Sequence, residues 1–123
     1  MDISREFLRT LSQVGYLACF KGRIGEGEAI MEGAYAAQPE QIPTQVGLAI
    51  ARICTGQYVE AVDILRDQVL AVEPNHMTAK CFMGLALKQT GQKEEATRLL
   101  QEVSQRGSSD EKAIASAYLV DEG

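Results

Sequence analysis

Apolar side chains along this chain recur at i, i+3 and i+4, and strand-like alternation is not sustained anywhere, so the pattern predicts helices throughout. Leu8, Leu11, Val14, Gly15 and Ala18 make one such stripe and predict a helix over 4–20, followed by a turn at Lys21-Gly22-Arg23. A second helix, 24–37, stops at Gln38-Pro39, because proline lacks an N–H and disfavours the helical conformation in the residue before it. A third starts near Pro43, a favoured residue in a first helical turn, and ends at Thr55-Gly56, where glycine accepts the left-handed conformation of a helix end. A fourth runs over 58–72 and is closed by Glu73-Pro74-Asn75. The same plan then returns as 77–89, a Thr90-Gly91 turn, and 93–106. Ser108-Ser109-Asp110 offers N-cap side chains with Glu111 in the turn that follows, and predicts a last helix over 111–120 with Ala113, Ile114, Ala117 and Tyr118 apolar.

Small residues keep step with this pattern. Gly15, Ala49 and Gly84 form one series, Gly27, Ala61 and Ala96 a second, and Gly22, Gly56 and Gly91 a third; each steps by 34 and then by 35. Three parallel series define an internal repeat of helix pairs. The first two series fall within helices, where glycine costs up to about 1 kcal/mol relative to alanine. That cost is tolerated where two helices cross so closely that a larger side chain would force them apart. Gly15, Gly27, Ala49, Ala61, Gly84 and Ala96 are therefore expected to be helix-packing residues.

Composition narrows the function. The chain has 123 residues, enough for one domain with a core of its own, with 46% apolar and 24% charged residues. A net charge of −5 without a Lys/Arg cluster argues against nucleic acid and anionic membranes as partners. No apolar run approaches a membrane span, and the N-terminal residues do not read as a secretory signal. Three cysteines, Cys19, Cys54 and Cys81, have no metal-ligand or disulfide spacing, so a reducing cytoplasm is expected.

In register, the copies resemble the tetratricopeptide repeat, whose pattern is W-x2-L-G-x2-Y, then A-x3-F, then P. The first copy reads Leu11-x2-Val14-Gly15-x2-Ala18, Gly27-x3-Met31, Pro39; the second Gln45-x2-Leu48-Ala49-x2-Arg52, Ala61-x3-Leu65, Pro74; the third Lys80-x2-Met83-Gly84-x2-Leu87, Ala96-x3-Leu100. The large aromatic positions are not aromatic here, and the second copy carries one extra residue before Pro74. The resemblance implies an all-α fold: an α-solenoid of three helix hairpins over about 8–41, 42–76 and 77–107, plus a C-terminal capping helix over about 110–121, in a single domain over 1–123.

The resemblance also implies which positions look inward: the second, fifth, sixth, ninth, twelfth and thirteenth of each copy. The first copy places Arg9, Ser12, Gln13, Tyr16, Cys19 and Phe20 there, the second Pro43, Val46, Gly47, Ile50, Ile53 and Cys54, the third Thr78, Cys81, Phe82, Leu85, Lys88 and Gln89. Repeats that clamp a carboxylate tail need cations and amides at these positions. Apolar Tyr16, Ile50 and Leu85 at the ninth position suit an amphipathic helix instead. The chain is similar, less specifically, to the small three-repeat chaperones of bacterial type III secretion, in phrases such as Gly15-Tyr16-Leu17-Ala18 and Phe82-Met83-Gly84-Leu85-Ala86-Leu87. That likeness implies a cytoplasmic bacterial protein that holds an export substrate, such as a needle-type subunit, in an apolar groove lined by Tyr16, Cys19, Phe20, Val46, Ile50, Ile53, Cys81, Phe82 and Leu85. A small helical co-chaperone is a further expected partner. The alternative is a general interaction scaffold, or a homodimer packed through the same groove.

Several residues invite sharper readings that the pattern does not support. His76, the single histidine, lies after Pro74 with no nucleophile at a recognisable spacing and reads as a loop residue, so no enzyme is expected. Gly22-Arg23-Ile24-Gly25-Glu26-Gly27 lacks the order of a dinucleotide fingerprint and follows no strand, so no cofactor is expected either. The cysteines read as small apolar residues rather than a metal site. The acidic second helices of each pair (Glu26, Glu28, Glu32; Glu60, Asp63, Asp67; Glu94, Glu95, Glu102) read as a solvated outer face.

Overall fold

The computed structural model describes residues 24–120, and these are helical, with short turns between helices. We number the helices α1 (Ile24–Ala37), α2 (Ile42–Cys54), α3 (Tyr58–Ile64), α4 (Met77–Gln89), α5 (Lys93–Arg106) and α6 (Ser109–Val120); a π-helical turn, Leu65–Val69, continues α3. The helix predicted over 4–20 and the turn at 21–23 lie outside the described residues.

Local chemistry sets the boundaries. The chain stays extended at Gln41 and enters α2 with Pro43 in its first turn. There the Thr44 hydroxyl donates to the carbonyls of Gln38 and Gln41, holding the α1–α2 turn against the helix start. Helices α2 and α4 end alike. Gly56 (φ 79°) and Gly91 (φ 84°) sit in the left-handed region, which a residue with a Cβ resists. The amides beyond them, Gln57 and Gln92, reach back to the carbonyls of Arg52 (2.7 Å) and Leu87 (3.0 Å), closing a Schellman motif at each end. His76 is more than a loop residue: it caps α4, its Nδ1 accepting from the Ala79 amide at 3.1 Å. The last helix opens two residues earlier than the pattern predicts, on a capping box. Ser108 Oγ accepts from the Glu111 amide at 3.3 Å, and Glu111 Oε1 accepts from the Ser108 amide at 3.0 Å.

Sequential helices pack on one another: α1 on α2, α2 on α3, α3 on α4, α4 on α5, and α5 on α6. One core runs through the stack, from Met31 through Val46, Ala49 and Ile50 to Leu65, Val69, Phe82, Met83 and Leu87. A smaller cluster, Cys81, Leu100, Val103 and Ala115, lies beneath α6.

The 35-residue step has a structural cause. In α5 the residues buried after Ala96 are Leu100 and Val103, four and seven positions on; in α1 the residues after Gly27 are Met31 and Ala34, at the same offsets. After Ala61, where Val62 and Ile64 are buried too, the residues in the corresponding places are Leu65 and Val69, four and eight positions on. The extra residue thus falls between Leu65 and Val69, the span of the π turn. A π turn takes one more residue than an α turn, so the insertion is absorbed within the helix and Val69 still reaches the core.

Candidate partner-binding face

The structure brings four of the expected groove residues into one cluster. Val46 and Ile50 on α2 meet Phe82 and Leu85 on α4, with Ile53 and Cys54 packed against them at the edge. They do not line an open groove. Val46 is 6% exposed, Ile50 4%, Phe82 4% and Leu85 3%, so they act as core. The reason is that both helices are enclosed: α2 lies against α1, α3 and the π turn, and α4 against α2, α3, α5 and α6. Residues 42–51 are buried without interruption, a pattern that marks a helix covered on every side. Ile53 and Cys54 remain half-buried. Tyr16, Cys19, Phe20 and the packing residue Gly15 lie outside the described residues.

Cys81 joins the second cluster instead. Its side chain is fully buried and its Sγ lies 4.0 Å from the Glu111 carbonyl of α6. Burial, and after it the charge of Glu111, pushes the thiol up to about 12, so it stays protonated and inert at neutral pH. Two neighbours on the same side of α4 also meet α6. The Thr78 hydroxyl donates to Glu111, and the Lys88 ammonium donates to the Tyr118 carbonyl and lies 5.8 Å from the centre of the Tyr118 ring. Thr78, Cys81 and Lys88 were all expected to look into the groove. Here the last helix covers them.

The small residues sit where the helices approach. A Cβ on Gly84 would come within 2.9 Å of Leu100 Cγ and 3.4 Å of the Ala96 carbonyl oxygen, so α4 and α5 touch there with no room for a methyl group. Ala49, Ala61 and Ala96 are at most 1% exposed, and Gly27 is buried.

The acidic helices are less plainly solvated than their sequence implies. Arg52, at the end of α2, holds three carboxylates from two other helices: Glu32 at 2.8 Å and Glu28 at 3.5 Å on α1, and Glu60 at 2.6 Å on α3. The hydrogen bond that the guanidinium donates to Glu32 is the largest influence on it and raises its pKa above the ordinary value. Arg66 on the π turn pairs with Glu95 on α5 at 2.9 Å. Lys80 on α4 holds Glu102 at 2.8 Å, and Arg106 adds a contact at 3.1 Å. The Lys80 hydrogen bond keeps the Glu102 carboxyl below its usual range. Glu26, Asp63, Asp67 and Glu94 do face solvent.

Gln45 and Lys80 occupy the position where the repeat pattern has tryptophan: Gln45 Nε2 donates to the Pro39 carbonyl at 3.0 Å while its Oε1 is buried with no hydrogen-bond partner among the described residues, and Lys80 donates to Glu102. Sequence reasoning missed the Arg52 and Lys80 bridges, because their partners lie on other helices, between eight and twenty-four residues away. The one available signal was a basic residue within an otherwise apolar first helix of each pair.

Consecutive helix pairs, small residues at the crossings and left-handed glycines between helices define a helical-repeat fold of the tetratricopeptide type. Among solved structures the chain is similar over the full length of both chains to the Yersinia enterocolitica type III secretion translocator chaperone SycD, in a form described as an alternative dimer, with a TM-score of 0.63 and 20% identity. At that identity the likeness carries the fold. No protein-family model matches the chain, and no characterised protein matches it in sequence. Among the described residues no helix is long and apolar enough to cross a membrane.

Proposed function

We propose that this protein is a chaperone of type III secretion that holds an amphipathic helix of an export substrate, of the needle-subunit kind, along the inner side of its repeat helices. The observation that carries the reading is the full-length likeness to a secretion translocator chaperone, joined to the absence of cationic clamp residues from the inner positions of α2. The inner positions of α2 are Pro43, Val46, Gly47, Ile50, Ile53 and Cys54, an uncharged set suited to the i, i+3, i+4, i+7 side chains of a helix. Of these, Ile53 and Cys54 are half-buried and form the part a partner reaches first. Deeper contact requires α2 to part from the helices packed on it at Val46 and Ile50.

The test uses Ile53. Ile53→Asp places a charge at this half-buried edge, and it should abolish co-purification of a substrate helix while the helical circular dichroism spectrum survives. Undiminished capture by that variant overturns the assignment of this face.

A further inference from the structure

Helix α6 rests on Thr78, Cys81 and Lys88, three positions that the repeat register assigns to the inner side of α4. It meets them with one stripe. Glu111 takes the Thr78 hydroxyl, Ala115 covers Cys81, Leu100 and Val103, and Tyr118 takes Lys88. These are residues i, i+4 and i+7 of α6, with Ile114 and Leu119 packed alongside. Lys112, Ala113, Ser116 and Ala117 face solvent on the other side. The chain therefore already shows a helix bound on the inner side of its third repeat, and shows the chemistry which that seat accepts.

We infer that the seat of α6 is a helix-binding surface filled in the free chain by α6 itself, and that a partner helix carrying a carboxylate, a small residue and an aromatic residue at i, i+4 and i+7 takes its place. Three observations make α6 the separable element. It packs on α4 and α5 alone among the described helices. Of residues 109–119 only Ala115 is fully buried, whereas α5 buries Ala96, Leu100 and Val103. Its ends are held by polar contacts, and only Gly107 and Ser108 join it to α5. Elements with few buried apolar contacts open at lower free energy than the core they cover. Only the naming of the partner as an export substrate rests on the proposed function; the seat itself does not.

Cys81 lies beneath α6 and reports its opening. In the full chain with Cys19→Ser and Cys54→Ser, maleimide reaction at Cys81 should proceed without denaturant at least about tenfold faster than global unfolding permits. Lys88→Met should raise that rate roughly five- to tenfold, the factor of one lost hydrogen bond, without moving the global unfolding midpoint. In the same chain carrying Ile114→Ala and Tyr118→Ala, Cys81 should react freely while the helical spectrum is retained. A peptide of residues 108–120 should then restore protection, and the peptide bearing the same two substitutions should not. The inference is overturned if Cys81 reacts only as fast as the whole chain unfolds, if the Ile114/Tyr118 variant loses its fold altogether, or if the wild-type peptide gives no protection. None of these outcomes depends on whether a secretion substrate binds.

Discussion

The amide of Leu70 donates to the carbonyl of Leu65, five residues back, at 2.8 Å. That bond defines the π turn of the third described helix and accounts for the one residue by which the second repeat exceeds the first. Its location makes a prediction. Deleting Gln68 removes the extra residue, converts the π turn to an α turn and moves Val69 to the offset that Ala34 and Val103 occupy in their own repeats. The variant should keep its helical content and melt within a few degrees of the parent. Deleting Thr97 is the control. It rotates the rest of α5 by about one residue, or 100°, and carries Leu100 and Val103, both at most 1% exposed, out of the core. Each lost anchor costs about 2–5 kcal/mol, so this variant should fail to give a cooperative thermal transition by circular dichroism.

Two glycines should respond in opposite directions to the same substitution. Gly33 lies within α1 with nothing within 4 Å of an added Cβ, so Gly33→Ala should stabilise by roughly 0.5–1 kcal/mol through the reduced entropy of the unfolded chain. Gly84 also lies within a helix, but its Cβ would meet Leu100 Cγ at 2.9 Å, and Leu100 is 1% exposed and cannot swing away. Gly84→Ala should therefore destabilise by about 1–3 kcal/mol, the usual cost of overpacking a core. Urea denaturation of both variants checks the pair, and equal signs would show that the helix crossing has room to spare.

Arg52 joins α1 and α3 through α2, and its loss leaves Glu28, Glu32 and Glu60 facing one another. Arg52→Met keeps most of the apolar stem and removes only the charge. With the side chain 19% exposed, the network is partly screened, and a loss of about 1 kcal/mol is expected at low ionic strength. The difference between parent and variant should shrink as salt is raised from about 0.01 M to 1 M, where the screening length falls from roughly 30 to 3 Å. Melting temperatures across a salt series measure it. A difference that does not change with salt would assign the effect to packing of the stem.

These cases also show what a sequence of this kind discloses. Helix ends were legible because single residues set them: Pro39 and Pro43, and the left-handed glycines Gly56 and Gly91, leave the backbone few alternatives. Close helix crossings were legible from the stepping of small residues. The outcome at Val46, Ile50, Phe82 and Leu85 was not, since an apolar residue on a repeat helix serves equally as groove or core, and only the neighbouring helices decide which. At Cys81 the decision came from α6, a helix outside the repeat register. The acidic residues misled for a similar reason. Glu32 and Glu102 look solvated in isolation, and their cations lie twenty and twenty-two residues away in sequence. The extra residue of the second repeat was visible as a count, but its place required the burial of Val69 to be known.

Lys80 and Glu102 give the pH dependence a sign. The Lys80 hydrogen bond keeps the folded-state pKa of Glu102 below its ordinary carboxylate value. A carboxylate depressed in this way binds its proton more readily in the unfolded chain, so its contribution is complete above the unfolded pKa and is lost as pH falls through the folded one. Replacing Lys80 with Met removes the donor and returns Glu102 towards its ordinary value, with Arg106 at 3.1 Å as its remaining partner. Parent and Lys80→Met should therefore differ most in melting temperature from neutral pH down to the ordinary carboxylate range. The two curves should converge as pH falls below it. The Glu102→Gln variant should show the same loss of acid sensitivity, because it removes the titrating group itself. If the parent and Lys80→Met curves instead run parallel down to low pH, the bridge stabilises through the buried lysine stem rather than through the charge on Glu102.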